Sequence, residues 1–177
     1  GGGIYNNIHG VMTLTNNTLS KNQANNGGGV YGWSYNKMTF GNNLIAGNTA
    51  LAGKEIYNDD SGIFTSKGHN LFGENGSSGI LGASPIASDL ILAGSIDTAI
   101  GPLTDNGGPT LTFLPVISSP AINVGDNNLI PNGITTDQRG PGFPRIQPVN
   151  GTVDIGAVEV VIPVYSLRIN KTGGLGT

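Results

Sequence analysis

Three tyrosines recur at a fixed step, Tyr5, Tyr31 and Tyr57, each 26 residues after the last. Such a row, if exposed, can stack on sugar rings, although aromatic rows also commonly just cover a sheet face. Trp33, the only tryptophan, joins Tyr31 and Tyr35 in the run Tyr31-Gly32-Trp33-Ser34-Tyr35. That run offers either a carbohydrate platform or a plug packed against the body of the protein. Sugar-cleaving chemistry needs carboxylates flanking the scissile bond, or acids that hold Ca²⁺ near an Arg or Lys base. Asp59-Asp60 is the nearest approach, but adjacent residues of an extended chain face opposite sides. His9 and His69 are 60 residues apart, out of step with the 26-residue period, and need not meet.

The positions that hold these residues belong to a repeat. Gly1-Gly2-Gly3-Ile4-Tyr5 returns as Gly27-Gly28-Gly29-Val30-Tyr31 and, degraded, as Gly53-Lys54-Glu55-Ile56-Tyr57. Asn16-Asn17-Thr18-Leu19 likewise precedes Asn42-Asn43-Leu44-Ile45 by one period, and Asn70-Leu71-Phe72 follows one residue late. Self-similarity at a fixed step of this length marks a solenoid. Short runs of alternating character between Asn/Gly corners are strand chemistry. The expected fold is all-β, a right-handed parallel β-helix of about 26 residues per rung.

Stacked rungs turn the period into ladders. Ile4, Val30 and Ile56 should form an inward aliphatic stack, as should Leu14 with Phe40, and Leu19 with Ile45 and Phe72. Asn17, Asn43 and Asn70, and separately Asn22, Asn48 and Asn75, should stack at rung corners. There each amide can bond to the neighbouring rung and the backbone can turn left-handed. The tyrosines, one residue past the inward stack, should point outward.

Composition supports little helix: 30 glycines and 21 asparagines stand against 11% charged residues. With a net charge of −3 and no basic cluster, a nucleic-acid footprint is absent. No lysine or arginine falls between Lys67 and Arg139, where Glu74, Asp89, Asp97, Asp105, Asp126 and Asp137 lie. Scattered acids mostly solvate a surface. Ca²⁺ is the one cation they would suit, and no resident cofactor is expected. There is no cysteine, and no apolar run reaches the length of a membrane span. The chain opens inside a repeat, which reads as a piece of something longer.

Three regions follow: regular rungs over 1–79, irregular rungs and a C-terminal cap over 80–159, and a tail or linker over 160–177. In the second, Gly101 to Thr112 reads as a turn followed by a strand. Asp137, Arg139, Arg145, Asp154 and Glu159 supply the charges of the cap. An arginine fork matches a carboxylate bidentately, and such a network would close the last rung, whose edge otherwise templates aggregation.

The same region carries Gly101-Pro102-Leu103, Asp105-Asn106-Gly107-Gly108-Pro109-Thr110, Ser119-Pro120-Ala121-Ile122-Asn123-Val124-Gly125, Thr136-Asp137-Gln138-Arg139-Gly140, Arg145 and Asp154-Ile155-Gly156-Ala157-Val158-Glu159. In order and spacing these blocks resemble the C-terminal part of the choice-of-anchor Q domain proteins, pectin-lyase-like β-helix surface proteins of bacteria related to the polymorphic outer-membrane family. The chain departs at Asn123, where that family usually has Asp. The resemblance implies a β-helix and an extracellular or cell-surface location.

Together these observations favour a non-catalytic structural or adhesive module of a secreted or surface-displayed bacterial protein, contacting carbohydrate through Tyr5, Tyr31, Tyr57 and Trp33. Two alternatives stand beside it. One is a subunit of an end-to-end assembled filament, joined to neighbouring subunits, or to other parts of a longer chain, through open β-helix edges. The other is a polysaccharide lyase or glycoside hydrolase on the same fold.

Overall fold

A computed structural model describes residues 1–148 and 151–161. Most of the expected tail, 162–177, lies outside the described residues. The chain winds as a β-solenoid of about three turns, about 26 residues apart. Each full turn contributes one short strand to each of three parallel sheets. The first turn holds β1 (Ile4–Asn6), β2 (Val11–Thr15) and β3 (Thr18–Leu19). The second holds β4 (Val30–Gly32), β5 (Lys37–Gly41) and β6 (Leu44–Ile45), and the third β7 (Ile56–Asn58), β8 (Ile63–Ser66) and β9 (Leu71–Phe72). A partial fourth turn adds β10 (Ile80–Leu81) and β11 (Leu90–Ile91).

The register is the one the period requires. Ile4 pairs with Val30 and Val30 with Ile56; Leu14 pairs with Phe40; Leu19 pairs with Ile45 and Ile45 with Phe72. Two ladders run on into the partial turn, to Ile80 and Ile91. A further inward rank, Met12, Met38 and Phe64, completes the interior, where the Phe40 and Phe64 rings stack at 5.0 Å. Val30, Met38, Phe40, Ile45, Ile56 and Phe72 are fully buried there. The corner between β8 and β9 takes up the one-residue slip: Phe40 pairs with Ser66 but Leu44 with Leu71, and Asn43 and Asn70 are 27 residues apart.

The left-handed corners lie one residue before the ladder asparagines. Asn16, Asn42 and His69 adopt φ of 54°, 54° and 56°. Turning the chain there aims Asn17, Asn43 and Asn70 along the stack; of the six ladder asparagines, Asn75 alone has a positive φ.

Past Ile91 the described chain forms no further parallel rung. A 3₁₀ turn at Ile96–Thr98 leads to an antiparallel hairpin of β12 (Ile100–Thr104) and β13 (Thr112–Pro115). Thus Gly101 to Leu103, read from sequence as a turn, is strand, and the bend comes at Gly107 and Gly108, with φ near +89° and +85°. A 3₁₀ turn at Asn127–Leu129 and a stretch of turns follow.

This C-terminal unit does not sit over the last rung. It lies along the outer face of the third sheet, where Ala157 N–H donates to Thr18 Oγ1 in the first turn, Gly156 N–H to the Asn42 carbonyl in the second, and Val124 O lies 2.8 Å from His69 Nδ1 in the third. The physical reason is a second core: Leu44 and Leu71 point outward from β6 and β9 and pack with Leu92, Ile96, Ile100, Ala121 and Ile155. The far end of the coil carries β10 and β11 and the link between them. That link, Gly82 to Asp89, bypasses the second sheet.

Candidate functional site

Tyr5, Tyr31 and Tyr57 pair in register and lie on the outward side of the first sheet. Their centroids are 5.5 Å and 5.1 Å apart, with interplanar angles of 43° and 83°. The row is therefore ribbed, presenting edges and hydroxyls as well as faces, and Leu81 extends it into the partial turn. Two residues further along each strand stand Asn7, Trp33 and Asp59. The ladder continues this far, since Trp33 N–H donates to Asn6 O and Asp59 N–H to Gly32 O. By alternation these three side chains share the tyrosine face. Tyr5 hydroxyl donates to Asn7 Oδ1, and Asp59 accepts from the hydroxyl and N–H of Ser61, which holds its carboxyl below the usual range. Partial burial, with Tyr57, Asp59 and Tyr5 adding to it, raises the Tyr31 phenol.

Trp33 is 48% exposed and Tyr35 60%, so this corner is a solvent-facing surface and not a plug. Its shape comes from Gly32, which replaces the inward asparagine of the neighbouring turns, Asn6 and Asn58. A Cβ at Gly32 would lie 2.6 Å from Asn36 Oδ1: the Asn36 side chain fills the place left open, and its amide donates to Asn58. Ser34 and Tyr35 take positive φ, and the Tyr35 ring stacks on His9 at 5.4 Å.

The asparagines form two amide chains of one polarity. Asn17 donates through N–H and Nδ2 to Asn43 Oδ1, Asn43 does the same to Asn70, and Asn70 to Asp89 Oδ1. In the second chain Asn22 donates to Asn48, and Asn48 to the carboxylate of Glu55. Asn75 is outside this chain, exposed in a loop. Glu55, only 1% exposed, takes the third place. Burial raises its carboxyl to about 7, with the Glu74 charge a lesser cause, against the downward pull of the Asn48 donors. Each chain of donors thus ends on an acid, Asp89 or Glu55. The sequence reading missed both, because neither is in step with the asparagines.

Asp137, Arg139, Arg145, Asp154 and Glu159 do come together, within the laterally docked unit. Arg139 grips Asp137 through Nε and Nη2 at 2.6–3.2 Å, donates to Glu159 O, and lies over the Phe143 ring at 4.0 Å. Arg145, 3% exposed, donates to Glu159 Oε2 at 3.1 Å and to Asp154 O. Asp154 accepts from Asn123 N–H and Val160 N–H, and Asp137 from Glu159 N–H. Position 123 thus contributes its backbone, so Asn serves where a carboxylate was expected. Burial raises the Glu159 carboxyl to about 7, with the Asp154 charge adding to it and Arg145 opposing; burial also raises Asp154 and lowers Arg145. The loop of the β12–β13 hairpin rests on this network, with Gly107 against Phe143 and Gly108 against the Arg139 backbone, too close for a Cβ.

Asp59 and Asp60 lie in the turn after β7, and His9 and His69 stand at different corners of the coil, so neither pair assembles a site. Among the described residues no three His, Cys, Asp or Glu side chains gather to hold a metal ion, and no helix is long and apolar enough to cross a membrane. No family model, curated protein or solved structure matches this chain.

Proposed function

We propose that this chain is a non-catalytic β-solenoid segment of a secreted or surface-displayed bacterial protein, and that its first sheet contacts polysaccharide. The observation that supports this reading is the row Tyr5–Tyr31–Tyr57, repeated at the step of the coil and continued sideways by Asn7, Trp33 and Asp59. An extended sugar chain repeats its rings at a comparable step, so successive sugars can meet equivalent partners. Edges and faces give apolar contact, and the flanking amide and carboxylate give hydrogen bonds. The structural assignment is supported by how the acids are used: Glu55, Asp89, Asp137, Asp154 and Glu159 all accept hydrogen bonds from within the fold, as architectural carboxylates do. The bacterial surface location rests on the resemblance of the C-terminal blocks to choice-of-anchor Q domain proteins.

Affinity electrophoresis through gels cast with a panel of polysaccharides tests the reading. At least one should retard the protein, and Tyr31→Ala and Trp33→Ala should each relieve most of the retardation while leaving the circular dichroism spectrum intact. Equal retardation of both variants and the parent would refute the assignment of this face.

A further inference from the structure

Between the first turn of the solenoid and the docked C-terminal unit runs a cleft of about 620 Å³, within the range of small-molecule sites. Thr15, Asn16 and Thr18 line it on one side, and Thr135, Gln138 and Arg145 on the other. Two of these side chains have unfinished hydrogen bonding. Asn16 leaves both its amide nitrogen and its amide oxygen without a partner among the described residues, and Arg145 leaves its Nε–H unpaired although it is 3% exposed. A buried polar group without a partner destabilises the fold, so two such residues on one cleft call for an explanation. Thr18 Oγ1 already accepts from Ala157 N–H, which leaves its proton to give.

The lining selects the chemistry of an occupant. Asn16 asks for a group that both donates and accepts, Arg145 for an acceptor, and Thr18 for an acceptor, demands that a set of hydroxyls meets together. A free anion would meet the Asp137 carboxylate beside Arg145, and a cation would meet the Arg145 guanidinium. We propose that this cleft is a binding site for a neutral, hydroxyl-rich ligand of the size of a mono- or disaccharide. It is separate from the tyrosine face, which lies on the first sheet, and stands or falls independently of it.

The test is saturation-transfer NMR on the whole chain with glucose, galactose, mannose, N-acetylglucosamine, cellobiose and, as the charged comparison, glucuronate, followed by titration calorimetry of those that bind. At least one neutral sugar should saturate and glucuronate should bind no more tightly. Asn16→Gly removes the amide yet suits the left-handed backbone at φ 54°, so it keeps the fold while weakening binding about tenfold. Ile134→Trp, at a half-exposed wall of the cleft, should abolish binding by filling it. Tyr31→Ala should leave it unchanged. Absence of saturable binding by every neutral sugar overturns the proposal, as does preference for glucuronate. Binding that survives both cleft variants, or that is lost only in Tyr31→Ala, overturns it as well.

Discussion

Replacing Glu55 by Gln isolates the proton that the structure assigns to the end of the second asparagine chain. The Glu55 carboxyl is raised from 4.5 to about 7, chiefly by burial. Between those values the folded chain holds a proton that the unfolded chain releases. Stability linked to Glu55 is therefore fully present below about pH 4.5, falls as pH rises to about 7, and is level above that. The difference amounts to about 3 kcal/mol, which for a chain of this size is a change of about 6–12 °C in Tm. Glutamine mimics the protonated acid: its carbonyl can accept from Asn48 as Glu55 Oε2 does, and it carries no charge to bury. Thermal unfolding by circular dichroism, at about pH 4 and about pH 8, should show parent and Glu55→Gln close together in acid and the variant the more stable in base. Because Glu159 titrates over the same range, the quantity to follow is the difference between the two proteins. If that difference is the same at both pH values, Glu55 is not protonated in the folded chain and the account of how the ladder ends is wrong.

Removing the side chain of Asn43 leaves the Asn17 N–H without its acceptor and takes one donor each from the Leu14 carbonyl and Asn70 Oδ1, so Asn43→Ala should cost about 2–4 kcal/mol in denaturant unfolding. The same change at exposed Asn75 should cost only about 1 kcal/mol, for the left-handed backbone there, and affinity for any sugar should follow neither. Arg145→Ala leaves Glu159 buried without its cation and should cost about 3–5 kcal/mol near neutral pH. That loss should shrink in mild acid, where Glu159 can take up a proton, and an undiminished loss would point to packing instead of charge.

The coil was legible because its signal is written three times. Val30 under Ile4 and Ile56 under Val30 need only the period and strand alternation, and the register obeys both. What escaped had no periodic companion. Glu55 ends a ladder of asparagines from a position seven residues past Asn48, not one turn past it, and Asn36 fills a vacancy that Gly32 makes in another strand. The sideways docking did leave a trace. Leu44-Ile45 and Leu71-Phe72 place two large apolar residues in succession on strands that show alternate faces, and both residues of each are buried, which happens when a sheet is covered on both sides. In the first turn the outward member is Thr18, which meets a backbone N–H there instead of a hydrophobic surface. The charges of the C-terminal network were legible as a set, but their placement depends on which outer face is greasy, and the ladders of Leu19, Ile45 and Phe72 left Leu44 and Leu71 without an assigned partner.

The docked unit also sets an order of events for the chain as it folds. Each turn of the coil gains its hydrogen bonds from a partner about 26 residues away, so the stack can grow by short steps from any finished pair. The contacts between Asn42 and Asp126 span 84 residues, and that between Thr18 and Ala157 spans 139. Closing such loops comes late, and until it does Leu44 and Leu71 face water as an apolar strip along an already formed sheet. A chain of which only residues 1–91 had emerged would hold the coil with that strip uncovered. The C-terminal unit therefore acts as a clasp in time as well as in space, ending the interval in which the coil is sticky along its flank.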